Sequence, residues 1–189
     1  MLDFALIDRA TEYSLNRLRH CEETVCPTLF LLNDILHPEL LDKLYQFVST
    51  YPESGWDAEH GQETRNRLKL NWVPESVIEE THVVLENLTG PINDIFDKTD
   101  TFLGITIWKD RSGYKILKHI DNPLIDIAMQ VYLNSEGDYA TEFEYSGNEI
   151  KAEYKKNAGY LLGSPVLHAM PNPVASEHTR FSLYAIWRK

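Results

Sequence analysis

The chain is 189 residues long and 43% hydrophobic, which is enough for one domain with a sizeable core and too little for two. Its 29 acidic residues outnumber its 18 basic residues and give a formal charge of −11, which repels a phosphate backbone and disfavours nucleic acid as a partner. No charged N-terminal segment precedes an apolar stretch, and no apolar run reaches ~18 residues. We therefore expect a single domain over residues 1–189, a cytoplasmic location and no membrane contact.

Two cysteines, Cys21 and Cys26, lie in the segment "HCEETVCP". Two are too few for a disulfide framework, and a lone C-x4-C beside His20 is a weak zinc motif. We favour two reduced thiols over a metal site here.

The first hundred residues show helical periodicity. In "HPELLDKLYQFVSTYP" the apolar side chains recur at helical spacing, Pro38 suits a first helical position and Pro52 lies beyond the end. The pattern predicts a helix, and a second helical pattern follows Pro74. The Gly90-Pro91 pair predicts a break in that pattern, followed by a further helical turn.

The segment between these helices, "GWDAEHGQETRNRLKLNWVP", is typical of a loop, with a short strand predicted around Arg67 to Trp72. Arg65 and Arg67 in "RNRLKL" allow two interpretations. They either border a functional site or belong to a solvated loop, and the sequence favours the solvated loop.

From Thr101 onward the pattern changes to short runs rich in β-branched and aromatic residues. Seven strands are predicted, in "FLGITIW", "YKILKHI", "IDIAMQVYL", "ATEFEY", "EIKAEY", "GYLLGS" and "RFSLYAIW". Seven strands in so short a stretch indicate a β-sandwich or barrel. We expect an α+β protein in which a helix-rich support region, about residues 1–100, packs against a β core, about residues 101–189.

Three residues form a candidate metal site. His119 and Asp121 are two positions apart, so on an extended strand both side chains point to the same face. His168 in "GSPVLHAMPNP" follows after several intervening strands. Two histidines and one carboxylate suit non-haem Fe(II), and zinc is the competing metal. His178 is an alternative distal ligand, but it lies only two residues before Arg180.

Arg180 and Ser182 are again two apart, on a strand predicted to be buried. A buried guanidinium is costly unless a carboxylate meets it. A small dicarboxylate that binds the metal at one end and Arg180 at the other satisfies this requirement through a bidentate pair. 2-Oxoglutarate is such a molecule.

The order of these motifs is similar to that of a known enzyme family. Gly113-Tyr114 precedes "HIDNP", the strand "VYLN" follows, and "TRF" opens a strand that ends at Trp187. Over about residues 101–189 the chain resembles the iron(II)/2-oxoglutarate-dependent oxygenases, nearest to their prolyl-hydroxylase branch. The resemblance implies a double-stranded β-helix, or jelly roll, with the N-terminal helices packed against it.

The resemblance also implies site roles. His119, Asp121 and His168 would bind iron, and Arg180 would bind the distal carboxylate of 2-oxoglutarate. Two further residues, Tyr132 and Ser182, would contact 2-oxoglutarate. The residues expected to line the active site are Trp108, Tyr114 and Asn134. No catalytic residue is implied beyond the metal ligands.

The implied activity is a dioxygenase reaction that uses Fe(II), 2-oxoglutarate and O2, with ascorbate as an additional reductant, to hydroxylate an unactivated C–H bond. A prolyl residue in a peptide or protein is the first substrate class, and a free amino acid or other small metabolite is the alternative. An alternative of another class is a non-catalytic jelly-roll module that binds a metal or ligand. The charge of −11 disfavours a nucleic-acid demethylase.

Overall fold

The computed structural model describes residues 1–59, 62–69, 76–163 and 165–189. Its α-helices in these ranges are α1 (Phe4–Leu18), α2 (Pro38–Thr50), α3 (Ser76–Asn87) and α4 (Thr89–Phe96), and a 3-10 turn spans Glu53–Gly55. The helix predicted from Pro38 onward is confirmed. None of the described helices has the length and apolar character needed to span a bilayer.

The predicted break near Gly90-Pro91 falls slightly earlier in the chain. Leu88 alone separates α3 from α4, so glycine and proline occupy the first turn of α4. Proline is tolerated there because the first turn of a helix leaves its N–H groups unpaired. Pro74, which we used to place the start of α3, lies outside the described residues. Helix α1 was not predicted; the carboxylate of Asp3 caps it by accepting a hydrogen bond from the Leu6 N–H at 3.0 Å.

The strands form two sheets. In chain order they are β1 (Glu22–Glu23), β2 (Leu29–Leu32), β3 (Trp56–Glu59), β4 (Gln62–Leu68), β5 (Thr101–Asp110), β6 (Ile116–His119), β7 (Ile127–Tyr132), β8 (Thr141–Tyr145), β9 (Asn148–Ala152), β10 (Gly159–Leu162), β11 (Leu167–Met170) and β12 (Arg180–Arg188). The major sheet has the order β1-β2-β10-β7-β12-β5-β4-β3, and the minor sheet has the order β6-β11-β8-β9.

Each of the seven strands predicted from Thr101 onward has a counterpart in this fold, but strands β1, β2, β3 and β11 were not predicted. The segment 167–170 forms strand β11, which the sequence did not predict because four residues between two prolines carry little periodicity. The segment predicted as a loop contains the hairpin β3–β4, which pairs with β5 and extends the major sheet. The strand predicted around Arg67 to Trp72 corresponds to the end of β4, which ends at Leu68. Residues 70–72 of the predicted strand lie outside the described residues.

The two faces of the major sheet have different roles. All six residues of β7 are buried, because one face of the sheet is covered by the helices and the other faces the minor sheet. Ile127, Met129 and Val131 belong to the core shared with the helices. The alternate positions, including Gln130 and Tyr132, point toward the minor sheet. The candidate site forms on this second face.

Candidate metal centre and cosubstrate pocket

The three candidate metal ligands converge at one end of the minor sheet. His119 on β6 and His168 on β11 are direct partners across the two strands, with ring centroids 4.4 Å apart. Asp121 lies two residues past the end of β6, in a loop rather than on the strand as expected. Its Oδ1 is 3.5 Å from Nε2 of His119 and 3.6 Å from Nε2 of His168. Among the described residues, this is the only group of three or more His, Cys, Asp or Glu able to share an ion.

Backbone carbonyls orient both imidazoles. Nδ1 of His119 bonds the carbonyl oxygen of Leu117 at 2.9 Å, and Nδ1 of His168 bonds that of Val166 at 2.8 Å. A carbonyl oxygen only accepts, so each Nδ1 carries the proton and each Nε2 presents a lone pair toward Asp121. Burial lowers the pKa of His168, which favours the neutral imidazole that metal binding requires.

A cleft of about 630 Å³ opens beside this triad. Thirteen residues line it: Glu59, Arg65, Trp108, Tyr114, Ile116, His119, Asp121, Asn122, Ile125, Gln130, Tyr160, His168 and Tyr184. Trp108 and Tyr114, expected as lining residues, are therefore in the cleft wall. Arg65 is there too, so the sequence preference for a solvated loop at this position is wrong. The hairpin β3–β4 brings Arg65 to the cleft by pairing with β5.

Arg180 lies at the start of β12, fully buried. The carboxylate that meets it belongs to the protein: Nη1 of Arg180 donates to Oδ2 of Asp110 on β5 at 2.5 Å. Burial by itself lowers the pKa of the Arg180 guanidinium, but the Asp110 carboxylate offsets this and raises the pKa above its ordinary value. The guanidinium also lies 5.2 Å from the ring centroid of Tyr132 and 5.6 Å from that of Tyr154. The Arg180 guanidinium thus has a carboxylate partner within the protein itself.

Comparison with known proteins gives a fold match without a sequence match. Neither a protein-family model nor a curated protein matches the sequence. A prolyl-4-hydroxylase from Pseudomonas putida superposes with a TM-score of 0.71 at 14% identity, over 93% of this chain and 98% of that chain. The chain has the fold of the 2-oxoglutarate/Fe(II) oxygenases. The predicted jelly-roll core with helices packed against it is confirmed.

Two other solved oxygenase structures show how widely this fold is used. A prolyl hydroxylase from Trichoplax adhaerens, in complex with a peptide fragment of the hypoxia inducible factor oxygen degradation domain, matches with a TM-score of 0.64 at 11% identity, over 98% of this chain and 91% of that chain. HygX from Streptomyces hygroscopicus, with nickel, 2-oxoglutarate and hygromycin B bound, matches with a TM-score of 0.61 at 9% identity. The match covers 85% of this chain and 82% of that chain. The fold therefore accommodates both peptide and small-molecule ligands.

Tyr132 and Ser182 are cross-strand partners on the buried face of the major sheet. The hydroxyl of Tyr132 is hydrogen-bonded to Oγ1 of Thr141 at 2.8 Å, and burial raises the pKa of this phenol. Oγ of Ser182 is buried and has no hydrogen-bond partner among the described residues. Ser182 thus has a free hydroxyl next to Arg180 on β12, whereas the Tyr132 hydroxyl is already engaged.

Asn134 and His178 are not among the residues that line the cleft. Nδ2 of Asn134 donates to the carbonyl oxygen of Thr179 at 2.7 Å, and its Oδ1 accepts from the backbone N–H of Phe181 at 2.9 Å. Asn134 therefore anchors the start of β12. We expected it to line the active site, but it does not line this cleft. Nδ1 of His178 bonds the hydroxyl of Tyr139 at 2.7 Å, and His178 does not belong to the group of three that can share an ion.

Tyr184 is a site residue that the sequence analysis missed. Its hydroxyl donates to Oδ2 of Asp121 at 3.4 Å, which leaves Oδ1 directed at the two imidazoles. Burial raises the pKa of Tyr184, and the Asp121 carboxylate adds to this, so the phenol stays protonated as a donor. The signal was present in the sequence: Arg180, Ser182 and Tyr184 alternate along β12 and share one face.

Proposed function

We propose that this protein is an iron(II)- and 2-oxoglutarate-dependent dioxygenase that hydroxylates an unactivated C–H bond. One observation carries the proposal: ligand atoms of His119, Asp121 and His168 lie within 4.8 Å of one another beside an open cleft. Two imidazoles and one carboxylate are a donor set that suits non-haem Fe(II), and the metal held by them would keep open positions for a keto acid and O2.

Unpaired polar atoms support 2-oxoglutarate as the cosubstrate. Within the described part of the chain, Nε and Nη2 of Arg180 and Oγ of Ser182 are buried without hydrogen-bond partners, although Arg180 already pairs with Asp110. Unpaired buried donors are costly, and a ligand carboxylate placed between them removes that cost. Because β12 carries Arg180 at one end and Tyr184 beside Asp121, one strand links the carboxylate pocket to the metal ligands.

Each residue of the site has a role in this reaction. Fe(II) with 2-oxoglutarate and O2 supplies the oxidising chemistry and yields succinate, CO2 and the hydroxylated product. His119, Asp121 and His168 hold the metal, and Tyr184 keeps Oδ1 of Asp121 turned toward it. Arg180 and Ser182 bind the distal carboxylate, and the ring of Tyr132 packs beside Arg180. The buried part of the cleft wall limits the access of water to the reacting groups; it consists of Tyr114, Gln130, Tyr160 and His168.

A prolyl residue in a peptide or protein is the substrate class that we favour. Three exposed hydrophobic residues, Leu117, Ile120 and Leu124, lie within a few positions of His119 and Asp121 in the chain, and exposed apolar side chains are typical of binding surfaces. In the described fold β6 is the end strand of the minor sheet, and an extended peptide can pair with such an edge. The likeness to two prolyl hydroxylases supports the same class.

A small molecule is the second candidate, favoured by the likeness to HygX with bound hygromycin B. The cleft volume of about 630 Å³ is in the usual range for a small-molecule site. Succinate release measured with proline-containing peptides, free amino acids and other small metabolites separates the two candidates. Turnover of free amino acids alone would contradict the peptide assignment.

Anaerobic titration with Fe(II), with and without 2-oxoglutarate, tests the activity itself. We expect a weak visible charge-transfer band only when metal and keto acid are both present, because the band requires bidentate chelation. The band should be lost in His168→Ala and retained in the control His82→Ala, whose ring packs on Phe102 outside the cleft. Iron binding without the band would favour a non-catalytic binding module instead.

A further inference from the structure

Three charged residues form a line across the major sheet. Arg65 on β4 is the cross-strand partner of Asp110 on β5, and Asp110 is the partner of Arg180 on β12. Direct partners hold their Cβ atoms roughly 5 Å apart on the same face. Asp110 therefore bridges the two arginines, with Oδ2 at 2.5 Å from Nη1 of Arg180 and Oδ1 at 3.6 Å from Nε of Arg65.

The three residues of this line hold two positive charges and one negative charge. Asp110 and Arg180 are fully buried, and only 15% of the Arg65 side chain is exposed. Two guanidinium groups face one carboxylate, and an unbalanced charge in such a place is costly. Nε of Arg65 and both Nε and Nη2 of Arg180 have no hydrogen-bond partner in the described part of the chain. One further carboxylate would balance the charge and accept from these donors.

Arg65 is held where it can reach such a ligand. Its guanidinium carbon lies 4.0 Å from the ring centroid of Trp108 and 5.0 Å from that of Tyr114, and Nη1 donates to the Tyr114 hydroxyl. Stacking on aromatic rings fixes the plane of a guanidinium and leaves its N–H edge free for an anion. Arg65 also lines the cleft that contains the metal ligands.

Arg67 provides a contrast within the same strand. Its side chain is 54% exposed, its Nε lies 3.9 Å from Glu59, and it is not among the cleft-lining residues. Arg65 and Arg67 carry the same charge and lie two positions apart on β4, yet only Arg65 lines the cleft.

We propose that Arg65 is a second binding residue for the distal carboxylate of 2-oxoglutarate, acting with Arg180 across the bridging Asp110. The inference rests on the proposed function and extends it, since it assigns part of the cosubstrate pocket to the hairpin β3–β4, outside the C-terminal strands. Asp110 is then a positioning residue, because it holds both guanidinium groups in place. It neutralises only one of their two positive charges, and the other is left to pair with the carboxylate of the ligand.

Calorimetric titration of the full chain, loaded with Fe(II) under anaerobic conditions, tests this role. The probes are 2-oxoglutarate and pyruvate, a keto acid that lacks the distal carboxylate. Arg65→Met should weaken 2-oxoglutarate binding roughly 10- to 100-fold, the range for losing a charge-assisted hydrogen bond. Pyruvate binding should change less than about threefold, and the matched control Arg67→Met should bind both acids as the unmodified protein does.

The outcomes separate this inference from the proposed function. Unchanged 2-oxoglutarate binding in Arg65→Met overturns the inference, and so does an equal loss for both keto acids, which would place the effect at the metal end. If the unmodified protein binds Fe(II) but neither keto acid, the proposed function itself fails. Arg65→Gln retains a donor for Tyr114, and it is judged by the same criterion if Arg65→Met does not fold.

Discussion

The buried pair of Asp110 and Arg180 should dominate the stability of this part of the fold. Removing one partner of a buried ion pair costs about 3–5 kcal/mol, because the other charge is left uncompensated. We expect the loss of stability in Asp110→Asn to lie near the upper limit of this range, since Arg180 would then face the cation of Arg65 with no anion between them. Arg180→Met should lie near the lower limit, because Asp110 keeps Arg65 at 3.6 Å.

The double variant Asp110→Asn/Arg180→Met decides whether the pair behaves as a unit. Both buried charges are gone in that protein, so it should lose less stability than the two single losses combined. We expect a coupling free energy of about 2–3 kcal/mol, at the upper end for residues in direct contact. Loss of a proton does not relieve this cost, because an arginine guanidinium keeps its charge in proteins and Arg180 therefore stays charged in Asp110→Asn.

Urea unfolding of the four proteins without ligands, followed by circular dichroism, measures these free energies. Equal slopes with urea are required, so that a shift of the midpoint reports stability alone. Single losses that add to within about 0.5 kcal/mol would refute the reasoning, since independent sites behave in that way.

Three further outcomes are expected. Tyr184→Phe should raise the Kd for Fe(II) roughly 3- to 10-fold, because it removes the hydrogen bond to Asp121; an unchanged Kd in the titration would count against the positioning role. Gly159→Ala should lower the melting midpoint by roughly 4–8 °C, because a Cβ atom would lie 1.8 Å from the carbonyl oxygen of Gln130 and part β10 from β7; a melt that coincides with the unmodified protein would show that the strands adjust freely. Fe(II) with 2-oxoglutarate at 100 times its Kd should stabilise the fold by about 2.7 kcal/mol, and thermal denaturation with a chelator present should abolish the gain; a gain that persists with chelator would place the ligand elsewhere.

Local pattern was sufficient wherever the relevant neighbours are close in the chain. The helix from Pro38 and the strands that carry Arg180 and Tyr132 follow from apolar spacing and turn residues. Helix α1 and strands β1, β2, β3 and β11 were not predicted, and the strand predicted around Arg67 to Trp72 overlaps only the end of β4. The hairpin strand β4 carries charged residues along its length, and the four residues of β11 are too few to show periodicity.

The sequence by itself determined the identities and order of the candidate ligands, His119, Asp121 and His168, and the arginine that follows them, because spacing and residue type are local properties. Only the tertiary structure decided which other groups act with them. Asp110 meets Arg180 and Tyr184 meets Asp121, although 70 and 63 positions separate the partners in the chain. Such pairs depend on the register between strands and on the packing of the two sheets against each other, and no local pattern encodes either.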